Sequence, residues 1–511
     1  MESFINTLNN IIWSPALVYL CLAAGLFFSV MTRFAQVRHF FEMWRLLFKG
    51  SSSADGISSF QALAVSLSGR VGMGNIAGVA AAIGFGGPGA VFWMWMVAFL
   101  GASTAYVEST LGQIYKERGQ VTGQYRGGPA YYFEKFFDHK WYAILFGIVF
   151  AIASIVACGF FLPGVQANGV VNALTQVIGE GSPVDTTVFG TVGMNRMIGL
   201  AIILVILGFI IFGGIKRIAH FTQFVVPFMA LGYIIMALII VFANADQVPQ
   251  LFAMIVNDAF TAQAGFGAAI GWGVKRGVYS NEAGQGTGPH AAAAAEVEHP
   301  AQQGLVQAFS VYVDTLFVCS ATAFMILITQ QYNIQGTLPA GQFLVQNVDA
   351  ATQISSPAFT QMAVSSVFGN FGQTFIAIAV FFFAFTTILA YYYIAEVNTA
   401  YLSRMIGGRM ARNTTLFLIK VCIMAMVAYG ALNSSGFIWG MGDIGVGLMA
   451  WLNIIGILVI FFIGRPSILA LRDYEAQQKA KVKHFSFDPQ KLGIKNAIFW
   501  EERIKENASQ Q

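Results

Sequence analysis

Ser68-Gly69-Arg70-Val71-Gly72-Met73-Gly74-Asn75 is the stretch whose reading decides the fold. It places glycines, a serine, an asparagine and a cation inside a run, 60–84, that is otherwise apolar and long enough to cross a bilayer. A helix interrupted at that depth bares backbone N–H and C=O groups, which is tolerated only where they line a cavity or hold something. A second stretch repeats the pattern. It reads Gly271-Trp272-Gly273-Val274-Lys275-Arg276-Gly277 and continues Ser280-Asn281-Glu282-Ala283-Gly284-Gln285-Gly286.

The chain around these two stretches is that of an all-α integral membrane protein. Of its 511 residues 56% are hydrophobic and 10% charged, against about a quarter charged in an average soluble domain. The ruler of about 20 apolar residues per crossing gives about eleven spans. They lie near 11–32, 60–84, 89–115, 141–172, 196–213, 221–243, 265–295, 303–331, 361–402, 415–432 and 444–465. The runs are continuously apolar and do not alternate, which excludes a barrel. The first run follows acidic Glu2 and lacks a cleavage site, so it reads as a retained span and not a signal peptide.

Basic residues set the expected orientation. They follow span 1 (Arg33, Arg38, Arg45, Lys49), span 3 (Lys116, Arg118, Arg126, Lys135, Lys140), span 5 (Lys216, Arg217) and span 9 (Arg404, Arg409, Arg412), and Arg465 opens a basic tail. The loops 173–195, 244–264, 332–360 and 433–443 carry no Lys or Arg. The N-terminus is therefore expected outside and the tail in the cytoplasm. The interrupted spans 2 and 7 lie five spans apart and enter from opposite sides, which predicts two five-helix units of inverted topology, 60–260 and 261–466. Residues 1–59 then form an extra N-terminal helix and loop, and 467–511 a cytoplasmic tail.

Several function classes drop out. The net charge of +4 is spread over loops and tail, so nucleic acid is not an expected partner. Cys21, Cys158, Cys319 and Cys422 sit in apolar runs without CxxC spacing, which argues against a disulfide framework or metal cluster. Gly84-Phe85-Gly86-Gly87-Pro88-Gly89 matches GxGxxG in letters only, because it joins two spans and does not follow a strand. The six histidines are scattered, so no catalytic cluster is expected and the chain does not read as an enzyme.

The interrupted spans offer a specific chemistry instead. N–H groups at Met73, Gly74 and Asn75, at the positive end of an outer half-helix, suit a carboxylate. Carbonyls freed at Gly69 and Arg70, and in the Gly271-Trp272-Gly273 stretch, suit an ammonium group. A site with both suits a zwitterionic amino acid; the plainer alternative is a kinked, glycine-mediated helix crossing. Gln166 in span 4 is placed either to reach that ligand or to tie helices together. Thr386 and Thr387 in span 9 either bond their own helix or, with span 2 carbonyls, cage a small cation in hard oxygen ligands. Arg70, Glu108, Lys275, Arg276, Glu282 and Asp314 lie in or near spans, where ionisable groups pair or line a pathway.

Four motifs carry a resemblance. Gly86-Gly87-Pro88-Gly89-Ala90-Val91-Phe92-Trp93-Met94-Trp95, Gly74-Asn75-Ile76-Ala77-Gly78-Val79, Gly127-Gly128-Pro129-Ala130-Tyr131-Tyr132 and Arg276-Gly277-Val278-Tyr279-Ser280-Asn281-Glu282-Ala283-Gly284 resemble the alanine/glycine:cation symporter family, in the amino acid-polyamine-organocation group. Val71-Gly72-Met73-Gly74-Asn75 also resembles the unwound segment of the neurotransmitter:sodium symporters. The resemblance implies sodium held by the carbonyls of Ser68, Val71 and Phe383 with the hydroxyls of Thr386 and Thr387. It implies a substrate carboxylate at Met73 to Asn75 and substrate contact by Gln166. No cofactor is expected beyond the coupling ion. The expectation is a monomeric sodium-driven symporter for alanine or glycine in a bacterial or archaeal plasma membrane; a proton-coupled symporter is the nearest alternative, and a channel the alternative of another class.

Overall fold

The computed structural model describes residues 2–48, 53, 55–119, 123–261, 266–339, 341–405 and 408–509. Lys49 of the first basic loop and residue 265, where span 7 was expected to start, lie outside them. Long apolar sequence becomes long helix: among the described residues, nine helices are long and apolar enough to cross a membrane. They are Ser3–Met31, Gly89–Ile114, Trp141–Ile178, Met194–Ile211, Gly214–Ala243, Pro300–Ile328, Asn370–Ser403, Arg409–Leu432 and Ser435–Ile463, corresponding to spans 1, 3–6 and 8–11. The chain is a multi-pass membrane protein. Among the described residues, strands form three short antiparallel pairs, the longest joining Pro183–Thr186 to Gly190–Gly193.

Spans 2 and 7 are each two shorter helices. Span 2 runs Ser59–Arg70, breaks at 71–73, and resumes as a π-type turn, Gly74–Gly78, leading into Val79–Gly86. Its first half starts at a capping box in which Ser58 Oγ accepts from the Gln61 N–H and Gln61 Oε1 from the Ser58 N–H. Span 7 runs Phe266–Asn281 and resumes at Gly288–Ala294. This differs from the expected position: Gly271, Trp272 and Gly273 lie within an unbroken helix, and the interruption falls at 282–287. There the backbone of Glu282, Gly284 and Gly286 has φ of 58°, 88° and 80°, a region that favours glycine and ends a helix.

Small residues let helices cross closely, as lipid-embedded packing requires. Gly164 of span 4 and Gly430 of span 10 touch backbone to backbone, so a Cβ on Gly430 would run into Gly164. Asn168, one turn on, donates to the carbonyls of Gly430 and Asn433 at 2.9 Å each. Gly273 belongs to the same class: a Cβ there would lie 2.5 Å from Ala90 O and 2.6 Å from Trp93 Cβ. Crossing, not ligand access, explains that glycine.

Two segments read as loop or tail are ordered. Val248–Thr261, inside the expected loop 244–264, is a helix that buries Leu251, Ile255 and Ala259. Its Asp258 Oδ2 accepts from the Gly89 N–H at 2.7 Å, at the start of span 3. The tail forms Pro466–Lys479 and Ile498–Ser509. Trp500 is buried and donates to Gln113 O at 2.9 Å, and Arg503 pairs with Glu296 at 2.8 Å. Lys116 lies under the rings of Tyr125 and Phe499, 4.3 and 4.5 Å from their centroids, where burial pulls its ammonium down to about 7.

Gly430→Leu is expected to cost at least about 1–3 kcal/mol by overpacking and to leave little monodisperse protein on size-exclusion chromatography. Gly436→Ala, on the next helix with open space around it, is expected to stay within about 0.5 kcal/mol of the parent. Equal behaviour of the two variants would contradict the crossing.

Candidate functional site

The break in span 2 leaves orphan backbone donors that side chains of span 2 itself and of another span take up. Asn75 Oδ1 accepts from the Gly72 N–H at 2.8 Å, and Gln166 Oε1, from span 4, accepts from the Met73 N–H at 2.9 Å. The Met73 N–H therefore already holds an amide oxygen where a carboxylate oxygen would bind. Gly72 is the point of convergence. A Cβ there would run into Thr387 Oγ1 of span 9 and lie 2.8 Å from Gln166 Oε1, so spans 2, 4 and 9 meet at one glycine. Gly74 is confined less tightly, with Tyr279 Cδ1 3.1 Å and Ser280 Cα 3.2 Å from a Cβ on it.

Oxygens gather on the span 9 side. Thr387 Oγ lies 3.3 Å from Val71 O and 2.9 Å from Phe383 O. Thr386 Oγ lies 3.1 Å from Phe383 O and 2.9 Å from Phe382 O, and it also faces Met229 of span 6. Thr387 Oγ is thus within hydrogen-bond reach of both Val71 O and Phe383 O, and Thr386 Oγ reaches the same Phe383 carbonyl. The Ser68 hydroxyl is turned back to Val65 O at 2.7 Å.

Other expected residues are placed differently. Asn75 is a bracket as well as a site residue: its Nδ2 donates to Asp314 Oδ1 at 2.6 Å, and Asp314 also accepts from Ser280 Oγ at 2.9 Å and Thr315 Oγ at 2.7 Å. The Arg70 side chain leaves the break for span 8, donating to Gln307 O at 3.1 Å and to Ser310 Oγ. Gly69 lies against Glu282, whose carboxylate oxygens would be 3.3 and 3.4 Å from a Cβ on it. Trp272 stacks on Phe85 with centroids 4.6 Å apart. Gly271 has open space around it. Gly271, Trp272 and Gly273 therefore do not supply freed carbonyls, because their helix continues for another two turns.

The second break has its own support. Glu108 of span 3 accepts from the N–H groups of Gly284 and Gly286 at 3.2 Å each and from Asn453 Nδ2 at 2.6 Å. One turn above, Arg276 makes a two-pronged pair with Asp443 at 2.8 and 2.9 Å, and Lys275 reaches the same carboxylate at 2.7 Å. Trp13 Nε1 of span 1 donates to Asp443 O at 2.8 Å. Sequence reasoning singled out Lys275, Arg276 and Glu108 without partners and passed over Asp443; the signal was a single acid opening the long apolar run of span 11.

Interrupted helices whose bared backbone is met by side chains of several other spans define a broken-helix membrane transporter. The solved structure of MhsT in complex with L-phenylalanine shares the fold, with a TM-score of 0.54 at 15% identity over 82% of this chain and 98% of that one. The family model for the sodium:alanine symporter family matches residues 1–488, and the chain belongs to that family. It is 53% identical to YrbD of Bacillus subtilis over 98% of both chains. It is 45% identical to the sodium/proton-dependent alanine carrier protein of Bacillus sp. PS3 over 91% of this chain and 98% of that one. With the sodium/alanine symporter AgcS of Methanococcus maripaludis it shares 34% identity over 90% and 94%.

Asp443→Ala leaves the buried Arg276 and its neighbour Lys275 without their carboxylate and is expected to cost about 3–5 kcal/mol, seen as a clear fall in the thermal unfolding midpoint of the detergent-solubilised protein. An unchanged midpoint would show that the cluster contributes nothing to stability.

Proposed function

We propose that this symporter couples inward movement of sodium to uptake of a small neutral amino acid, alanine foremost. The observation that carries the proposal is the convergence at Gly72: the Met73 N–H, Gln166, Val71 O and Thr387 Oγ lie side by side. A carboxylate at Met73 to Asn75 displaces the Gln166 oxygen, and the carboxamide then turns its Nε2 to donate to the ligand. The carbonyls of Gly69 and Arg70 accept from the substrate ammonium. Sodium is held by Val71 O, Phe383 O, Thr387 Oγ and Thr386 Oγ, with Ser68 O completing the set. The two ligands share the backbone between Val71 and Met73, so each orders the segment that the other needs.

The membrane frame follows the basic loops. Eleven passes, with spans 2–6 and 7–11 as inverted units (60–260 and 261–466), place the N-terminus outside and the tail within a bacterial or archaeal plasma membrane. The chain acts as a monomer with no cofactor besides the coupling ion, and catalyses no covalent reaction. Each sodium carried with a zwitterion moves one charge, which supplies about 2.3 kcal/mol per 100 mV, roughly a 50-fold accumulation. A proton-coupled reading is favoured by one observation only, the buried carboxylates Glu108, Glu282 and Asp314 beside the breaks.

Thr387→Ala deletes a cation ligand and leaves the amino acid contacts in place. In proteoliposomes it is expected to raise the sodium concentration for half-maximal alanine uptake by about tenfold or more, and Thr387→Ser to stay near the parent. Gln166→Ala is expected to weaken alanine binding about 3- to 10-fold, the worth of one hydrogen bond, with a smaller effect on the unfolding midpoint. A lowered midpoint with unaltered affinity would make Gln166 structural. Uptake that follows a proton gradient and ignores sodium would replace the sodium assignment.

A further inference from the structure

The Asn281-Glu282-Ala283-Gly284 motif has no part in the ligand contacts above, yet Glu282 is the most unusual residue of the second break. It is 2% exposed and holds a left-handed backbone with φ of 58°, a conformation that a glutamate adopts only under constraint. Its Oε2 accepts from Thr287 Oγ at 2.8 Å, while Oε1 is buried without a hydrogen-bond partner. A small cavity of about 10 Å³ lies beside it, lined by Ser66, Gly69, Glu282, Thr287, Ala390 and Tyr393 among others. That is the volume at which one water-sized particle begins to fit. Ser66 Oγ, from another span lining the cavity, is also buried and unpartnered.

The position of this cavity matters more than its size. Ala390 lies about one turn beyond Thr386 and Thr387 on span 9, towards the basic loop that follows Ser403. Ser66 and Gly69 precede Val71 on span 2, towards the half-helix that begins at Ser59. Both helices therefore put the cavity one turn inward of the oxygen cluster at Thr387. Glu108, Glu282 and Asp314 are all buried here, and the guanidinium that interacts with all three is Arg70.

We propose that Glu282 and Ser66 form a second station for the coupling cation, occupied on the way from the Thr387 oxygens to the tail side of the membrane. Glu282 Oε1 and Ser66 Oγ are hard oxygen ligands, which suit a dehydrated monovalent cation such as sodium. The station draws the ion out of the first site and lowers the barrier to its release. This inference rests on the sodium reading of the Thr387 cluster, and its test is arranged to separate the two.

Glu282→Gln, Ser66→Leu, and Glu282→Gln combined with Ser66→Asp are reconstituted in proteoliposomes beside the parent and Thr387→Ala. Equilibrium alanine binding is titrated with sodium, and uptake of labelled alanine and sodium is followed at saturating sodium. Glu282→Gln is expected to keep the parent's half-saturating sodium concentration within about twofold while turnover falls at least tenfold. Ser66→Leu, which fills the cavity and leaves the carboxylate, is expected to lose turnover similarly; it also serves should Glu282→Gln fail to fold. Returning a carboxylate from the other span, in the double variant, is expected to recover much of the rate. Parent-like turnover in Glu282→Gln or Ser66→Leu would overturn the station. So would loss of sodium-dependent binding in Glu282→Gln, because Glu282 would then belong to the first site. A first-site failure shows elsewhere, as a parent whose alanine binding ignores sodium or a Thr387→Ala variant with unchanged sodium dependence, and sinks both readings.

Discussion

Backbone polar groups cannot be left bare inside a membrane, and the two interrupted helices confront this chain with that constraint twice. In both places side chains supply the missing partners, most of them from other spans. Asn75 and Gln166 take the N–H groups of Gly72 and Met73, and Thr387 covers the carbonyl of Val71. Glu108 takes the N–H groups of Gly284 and Gly286. Each break is therefore tied by hydrogen bonds to other spans, span 2 to spans 4 and 9, span 7 to spans 3 and 11.

Charge follows the same logic. Asp443 gathers Lys275 and Arg276 above the break, with Trp13 of the first span on its backbone carbonyl. Arg70 interacts in turn with Asp314, Glu282 and Glu108. Basic side chains outnumber the carboxylate in the first cluster, and carboxyl groups outnumber the guanidinium in the second. The tail end of the molecule is closed by ordered structure: Trp500 and Arg503 dock on Gln113 and Glu296. The helix Ile498–Ser509 lies beyond the residue, 488, at which the match to the family model ends.

Much of this was legible in the sequence because bilayer thickness is a ruler. Apolar runs gave the long helices to within a few residues at most ends, and glycines beside polar residues gave the break at 71–73. The second break was misplaced because Gly271-Trp272-Gly273 carries the same glycine signal for another reason, the close crossing at Ala90 and Trp93. Glycine content alone does not separate a crossing from an interruption. The positive-φ cluster at Glu282, Gly284 and Gly286 does. Val248–Thr261 was read as loop because it is too short to span and carries polar residues. Partners such as Asp443 for Arg276, 167 positions apart, or Asn453 for Glu108, 345 apart, depend on tertiary packing and leave no local trace.

The central claim is that sodium and the amino acid occupy adjoining sites that share the backbone of Val71 to Met73. Linkage then requires each ligand to tighten the other by the same factor. Calorimetric titration of the purified protein with alanine, with and without saturating sodium, and of sodium with and without saturating alanine, measures both factors. The account predicts two equal factors, each well above one, and both reduced towards one in Thr387→Ala. Alanine affinity that is the same with and without sodium would contradict it.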